Sequence, residues 1–164
     1  MTEADKGSAA PFTVVVALDA SAASDIALSG ALGLATERGW NPLHVVWVVT
    51  GYDPMRRLEY AYEAHQLDLG AEKQKFEQRL AELQQRHLAQ HGGASVELVP
   101  HVLAGPAAQE ILRVASGVHA DLIVLGTHGR GGVKRLVLGS VAEEVLRHAG
   151  CPVLVMRDKD WSGH

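Results

Sequence analysis

The sequence predicts an α/β fold: a single doubly wound sheet of five parallel strands with helices on both faces. Five short runs of valine, leucine and isoleucine are continuous rather than alternating with polar residues, which is typical of strands buried on both faces. Segments of helical character separate these runs, and strands joined through helices form right-handed crossovers in a parallel sheet. The length of 164 residues suits one domain of ordinary size.

The first strand and helix are predicted from an apolar run and the serines that follow it. Residues 13–18 are apolar and rich in valine, which predicts a buried strand. Ser21 or Ser24 can cap the next helix, because a serine hydroxyl accepts a hydrogen bond from an N–H group of the first turn. A helix rich in alanine and leucine is predicted over residues 22–37, and Gly39 ends it.

A second strand and a long polar helix follow. Residues 43–49 are almost entirely apolar and predict another buried strand. A helix is predicted over residues 58–91, in which Gly70 marks a kink or a division into two helices. The second half of this helix has an apolar face with a spacing of three or four residues, formed by Phe76, Leu80, Leu83 and His87.

The carboxyl-terminal half alternates strands and helices around a glycine-rich segment at 126–138. Residues 95–99 predict a strand. Pro100 has no N–H group to donate, so it predicts that this strand lies on a sheet edge or breaks there. The elements predicted after it are a helix from Gly105-Pro106 to Val118, a strand at 121–125, a helix from Gly139-Ser140 to His148 and a strand at 152–156.

The composition excludes several classes of function. The single cysteine, Cys151, excludes an internal disulfide framework and a Cys-x-x-Cys site; we interpret it as a small buried residue rather than a nucleophile. The net charge of −4 argues against a general nucleic-acid binder, which needs a basic face. No apolar run reaches the roughly 20 residues of a membrane-spanning helix.

The two ends of the chain predict tails around one domain. Residues 1–10 and 158–164 are predicted to be mobile tails, and residues 11–157 are predicted to form the domain. The amino-terminal residues include acidic side chains and no apolar stretch, so they do not resemble a secretory signal. We therefore expect a soluble cytoplasmic protein.

The glycine-rich segment predicts a cradle for phosphate. Ligands of such sheets bind beyond the carboxyl ends of the strands, and this segment follows the fourth strand with the spacing G-x2-G-x9-G-S. Gly126 and Gly129 allow the backbone to approach a ligand closely. Gly139 and Ser140 open a helix whose free N–H groups favour an anion. Arg130 adds positive charge and can bind a phosphate through two N–H groups.

The glycine-rich segment, Asp19 and three histidines also have other possible roles. A P-loop and a dinucleotide fingerprint both fail, because Lys134 follows valine and the segment does not follow the first strand. His128 is interpreted as a loop histidine near phosphate or solvent rather than a catalytic base. Asp19 can be a helix cap or a ligand-binding residue. His87 and His91 are too few for a metal site, so we interpret them as a solvated helix end.

Two stretches resemble the universal stress protein family. Residues 19–28 resemble its opening pattern D-x-S-x-x-S-x-x-A-L, and the G-x2-G-x9-G-S stretch resembles the nucleotide-binding signature of its ATP-binding branch. Residues 120–126 and 151–155 are similar to the family's last two strands. One departure is Ala20, where many members have glycine.

The resemblance implies a strand order, a ligand and a set of roles. The strand order would be 3-2-1-4-5, with homodimerisation through the last strand. Asp19 would approach the ribose or a phosphate-bound Mg²⁺, and Val48 would give backbone hydrogen bonds to adenine. The residues that would hold ribose and phosphates are Gly126, Gly129, Gly139, Ser140 and Val141. The role of Arg130 is inferred from its charge and position alone.

Three functions stand as hypotheses. The first is an ATP-binding regulator of the stress response whose shape or choice of partner changes with occupancy. The second is a weak ATPase, for which Arg130 and Asp19 are candidates although no water-positioning residue is evident. The third is an interaction scaffold whose cradle is empty or tuned to AMP or cyclic AMP, with residues 58–91 as the partner surface.

Overall fold

The computed structural model describes residues 11–19, 21–49, 68–127 and 138–157. The strands are β1 (Val14–Leu18), β2 (Leu43–Val49), β3 (Leu98–Ala104), β4 (Leu122–Gly126) and β5 (Val153–Met156), and the helices are α1 (Ala22–Arg38), α2 (Leu69–His91), α3 (Ala107–Gly117) and α4 (Ser140–His148). All strand pairs are parallel, and the order is β3-β2-β1-β4-β5. The predicted fold class and strand order are confirmed. The predicted tails at 1–10 and 158–164 lie outside the described residues.

The sheet separates two hydrophobic layers, which explains the continuous apolar runs. Successive side chains of a strand point to opposite faces, so Val14 and Val16 pack on the layer below α1 and α2. Val15 packs on the other layer with residues of α3 and α4. All three valines are fully buried. A strand covered on both faces has no position left for a polar side chain.

The ends of α1 follow the sequence closely. Ser21 is the N-cap and its hydroxyl accepts from the N–H of Ser24 at 3.2 Å, so the choice between the two serines falls on Ser21. Gly39 ends the helix at φ 71°, and its N–H donates to the carbonyl of Ala35. Glycine adopts this left-handed conformation without the steric cost that a β-carbon brings.

The start of α2 differs from the prediction. Asp68 is the N-cap, and its Oδ1 accepts from the N–H groups of Gly70 at 2.9 Å and Ala71 at 3.0 Å. Gly70 therefore lies in the first turn of α2 and not in a helix interior. A continuous helix over 58–91 is wrong, since α2 begins at Leu69. The alternative of two helices that divide near Gly70 stays a prediction, because residues 58–67 lie outside the described residues.

The third strand is displaced towards the carboxyl terminus from its predicted position. The structure has it at Leu98–Ala104, so the prediction of 95–99 is wrong. Pro100 lies inside the strand, paired with Val45 of β2, and does not break it. A proline is accommodated there because β3 is an edge strand whose outer side needs no ladder donor, which confirms the predicted edge position.

His87 corrects a further prediction. Its side chain is buried, at 6% exposure, and its Nδ1 lies 3.0 Å from the Ser29 hydroxyl of α1. Burial lowers the pKa of His87, and the neighbouring His91 lowers it further. The solvated helix end that the sequence predicted is therefore wrong for His87, because α2 packs this side of its last turns against α1.

Two classes of function can be checked against the described part of the chain. No group of three or more histidine, cysteine or acidic side chains there is arranged to hold a metal ion. Among the same residues, every helix is too short or too polar to cross a membrane.

The apolar face of α2 allows a test of the hydrophobic layer between the sheet and helices α1 and α2. Phe76 is 3% exposed, and its ring centroid lies 5.2 Å from that of Trp47. We expect Phe76→Ala to lower the free energy of unfolding by about 3–5 kcal/mol, because it removes a buried ring and leaves a cavity. Leu69→Ala, at a side chain that is 42% exposed on the same helix, should change it by less than about 0.5 kcal/mol. Equal losses in urea denaturation would contradict this packing.

Candidate functional site

The candidate site lies at the carboxyl edge of the sheet, where β1 and β4 are neighbours. Val16 of β1 pairs with Val124 of β4 as the last pair between these strands, and Asp19 and Thr127 directly follow the ends of β1 and β4. The chain leaves β1 towards α1 on one face and β4 towards α4 on the other face. This divergence is the topological switch point at which such sheets bind ligands.

A small network of hydrogen bonds fixes Asp19. Its Oδ1 accepts from the N–H of Ser21 at 3.0 Å, and its own N–H donates to the hydroxyl of Ser24 at 3.3 Å. That hydroxyl in turn donates to the carbonyl of Ser21 at 2.8 Å. Asp19 thus shapes the turn before α1, while its half-buried carboxylate is held in a defined position at the end of β1.

Gly126 brings the start of α1 against the end of β4. A β-carbon at this position would lie 2.7 Å from the carbonyl carbon and oxygen of Ala23 and 2.9 Å from the amide nitrogen of Ser24. These are backbone atoms, which cannot swing aside as a flexible side chain can. The close approach at Gly126 is that of the first turn of α1, which lies beside the switch point; the approach of a ligand to Gly126 stays a prediction.

Two main-chain hydrogen bonds of Thr127 close the glycine-rich segment. Its N–H donates to the carbonyl of Met156 at 3.0 Å, and its carbonyl accepts from the N–H of Gly139 at 2.9 Å. The segment between Thr127 and Gly139 therefore starts and ends at one place. The predicted site residues Gly129 and Arg130 lie outside the described residues, as does His128.

The start of α4 faces the same edge. Gly139 is the N-cap at φ −60° and ψ 148°, and as a glycine it has no side chain that could cap the first turn. Ser140 is exposed, and Val141 is 37% exposed. The first N–H groups of a helix carry partial positive charge. An anion beside Thr127 would therefore be stabilised by α4.

Val48 lies where β2 extends past β1. The last pair between these strands is Leu18 with Trp47, whereas Val48 pairs with Leu103 on the other side. Its partly buried side chain packs in the layer of α3 and α4. The structure thus brings Asp19, Val48, Gly126, Gly139, Ser140 and Val141 to one edge of the sheet.

Two contributors were not assigned a role from the sequence. Thr127 acts through its main chain, and the sequence signal for it is only its place directly after the fourth strand. Ser24 was considered as a helix cap, but its 4% exposure and its bond to Asp19 make it the support of the turn. Its sequence signal is present, because Ser24 is the second serine of the pattern D-x-S-x-x-S-x-x-A-L.

Comparison with known sequences gives a family. A model described as the universal stress protein family matches residues 12–157. A universal stress protein of Methanocaldococcus jannaschii is 48% identical over 62 residues, which are 38% of this chain and 36% of that protein. A putative universal stress protein of Staphylococcus epidermidis is 29% identical over 147 residues, which are 90% of this chain and 84% of that protein.

Solved structures share the fold. Universal stress protein UspA from Lactobacillus plantarum has a TM-score of 0.68 and 25% identity, covering 91% of this chain and 100% of its own. A universal stress protein in complex with cAMP has a TM-score of 0.56 and 24% identity, covering 91% of this chain and 98% of its own. A universal stress protein from Archaeoglobus fulgidus in complex with dAMP has a TM-score of 0.54 and 24% identity, and the match covers 90% of this chain and 98% of that protein.

The contact between β4 and α1 can be tested with one alanine. We expect Gly126→Ala to lower the free energy of unfolding by about 1–3 kcal/mol, because the added methyl group meets backbone atoms that must shift. Gly117→Ala is the matched control, since a β-carbon there meets nothing within 4 Å. That control ends α3 and should raise stability by up to about 1 kcal/mol. If Gly126→Ala is as stable as the control in urea denaturation, α1 does not rest on Gly126.

Proposed function

The chain belongs to the universal stress protein family, and on that basis we propose that it binds ATP and acts as a nucleotide-dependent regulator in the stress response. The observation that carries the proposal is the hydrogen bond of 2.9 Å between the N–H of Gly139 and the carbonyl of Thr127. It holds the start of α4 at the end of β4, next to the turn of Asp19. As the sequence predicts, we expect the protein to act in the cytoplasm.

The phosphates are assigned to the start of α4. The main-chain N–H groups of Ser140 and Val141 belong to the first turn of a helix whose N-cap is glycine, and a helix start stabilises negative charge. The Ser140 hydroxyl adds a donor. Gly129 and Arg130 are proposed to complete the cradle, with the arginine holding a phosphate through two N–H groups.

The base and the ribose are assigned to the ends of β2 and β1. The main chain of Val48 is proposed to hydrogen-bond adenine, since β2 extends past β1 there. Asp19 is proposed to contact the ribose or a Mg²⁺ ion bound by the phosphates. Magnesium in nucleotide sites is commonly held by phosphate oxygens and one or two carboxylates, and Asp19 is held in place to supply one.

A second candidate function is the binding of a nucleoside monophosphate. Two universal stress proteins of the same fold are in complex with cAMP and dAMP, and each of these ligands has a single phosphate. A single helix start can hold one phosphate as well as a chain of three. The cradle of this chain would then be tuned to AMP or cyclic AMP rather than to ATP.

A charge placed on α4 tests the site. We expect Val141→Glu to weaken ATP binding about tenfold or more, because a carboxylate in the first turn repels a polyphosphate, while it does not harm the helix start. Leu146→Glu is the matched control, since Leu146 is 44% exposed near the other end of α4. Titration calorimetry with ATP, AMP and cyclic AMP gives the affinities.

Each outcome of this titration decides between the hypotheses. Equal loss of affinity in both variants would remove the start of α4 from the site. Tighter binding of AMP or cyclic AMP than of ATP by the unmodified protein would favour the second candidate. No binding of any of the three nucleotides would overturn the proposed function.

The two edges of the sheet support a proposal about assembly. In the part of the chain described, β3 and β5 each have a strand neighbour on one side. β3 carries Pro100 near its middle, which hinders pairing with a further strand. β5 is Val-Leu-Val-Met, half-buried throughout, without proline or charge. We therefore propose that the protein is a homodimer that pairs through β5.

Matched lysine substitutions on the two edges test the dimer. Val155→Lys on β5 should give a monomer in chromatography with light scattering, because it puts charge into the proposed interface. Val99→Lys on β3 is the same change at a similarly half-buried edge position and should leave the dimer intact. A monomeric unmodified protein, or a dimer that dissociates only with Val99→Lys, would contradict pairing through β5.

A further inference from the structure

Two histidines form a pair across the β2–β3 edge, away from the candidate nucleotide site. The Nδ1 atom of His44 and the Nε2 atom of His101 are 3.0 Å apart, with ring centroids at 5.2 Å and an angle of 41° between the planes. His44 pairs with Val99 in the ladder, whereas His101 pairs with Val46. The two rings therefore meet diagonally on one face of the sheet.

This geometry limits the number of protons that the pair can hold. A neutral imidazole has one N–H donor and one bare nitrogen, so a single N–H···N bond joins the two rings. A third proton can bind to the outer nitrogen of the donor ring and leave this bond in place. A fourth proton puts hydrogens on both facing nitrogens, which breaks the bond and sets two positive charges side by side.

The surroundings of the pair oppose double protonation. Burial lowers the pKa of His44, and the Glu97 carboxylate opposes that effect in part. Burial also lowers the pKa of His101, and the charge of a protonated His44 lowers it further. On α3, which packs against this face, the charged residues are Glu110 and Arg113, and they pair with each other at 2.6 Å.

The sign of the pH dependence follows from these lowered pKa values. In the unfolded chain both histidines titrate near their ordinary pKa of about 6.5 and take two protons. The folded pair takes fewer protons over the same range. The stability that the pair contributes is therefore fully present above about pH 6.5 and is lost as the pH falls towards the lowered values.

We propose that the His44–His101 pair is an acid-sensitive latch that holds the edge strand β3 to β2, and that double protonation of the pair releases β3. In the described structure β3 has a strand neighbour on one side alone, and its residues are at most half-buried. Loss of one cross-strand contact therefore weakens it more than it would weaken a central strand. The latch does not depend on the proposed nucleotide site.

Hydrogen exchange of the full chain tests the latch. Amide exchange is compared at about pH 5 and about pH 7.5 in the presence of EDTA, after correction for the intrinsic pH dependence of exchange. The chelator keeps a metal ion from bridging the two rings. We expect protection of the β3 amides to fall about tenfold or more at the lower pH, while protection of the β1 and β4 amides changes much less.

Glutamine variants show whether the pair is responsible. The glutamine of His101→Gln keeps hydrogen-bonding groups but cannot become charged. In this variant the β3 amides should therefore keep their protection when the pH is lowered. His148→Gln, at an exposed histidine of α4, is the control and should behave like the unmodified protein. Protonation of His87, which contacts α1, would instead lower the protection of the α1 and α2 amides.

Three results would overturn the latch. The first is that amide protection in β3 of the unmodified protein does not change at low pH. The second is that β3 of the His101→Gln variant still loses amide protection at low pH. The third is that amide protection is lost evenly over all strands of the sheet. If His101→Gln does not fold, the imidazole signals of the unmodified protein are titrated by NMR. Two separate protonation steps, of which the second occurs well below the ordinary histidine pKa, support the latch. Two independent titrations at about pH 6.5 overturn it.

Discussion

Two main-chain hydrogen bonds of Thr127 hold the carboxyl edge of the sheet together. One joins β4 to the end of β5 through Met156, and the other joins β4 to the start of α4 through Gly139. Gly126, one residue earlier, admits the first turn of α1 to the same place because it has no side chain. Two helix starts and two strand ends therefore meet at two consecutive residue positions, and the geometry of the candidate site depends on that junction.

Much of the fold can be predicted from the sequence because its signals are local. The continuous apolar runs predict strands buried on both faces, and the two-layered core of Val14, Val15 and Val16 is the physical reason. The cap at Ser21 and the end at Gly39 are also local features. The predicted site residues at the ends of β1, β2 and β4 meet at one edge because all parallel strands end there.

Two failures of prediction depend on contacts that are distant in the sequence, whereas the start of α2 depends on the local cap at Asp68. Pro100 predicted an edge strand or a strand that breaks, and the partner strand on one side allows β3 to continue through it. His87 looked solvated because Ser29, its partner, lies 58 residues away. The pair of His44 and His101 is separated by 57 residues, and no spacing within one segment indicates it.

The closure of the glycine-rich segment at a single hydrogen bond has a consequence for how the protein can change. Thr127 and Gly139 flank residues 128–138 and are hydrogen-bonded to each other. The pairing of the strands therefore does not depend on the number of residues between Thr127 and Gly139. The entropy cost of closing a chain between two fixed points grows slowly with its length, by about 0.6 kcal/mol for each doubling. We therefore expect insertions between Thr127 and Gly139 to change the free energy of unfolding little.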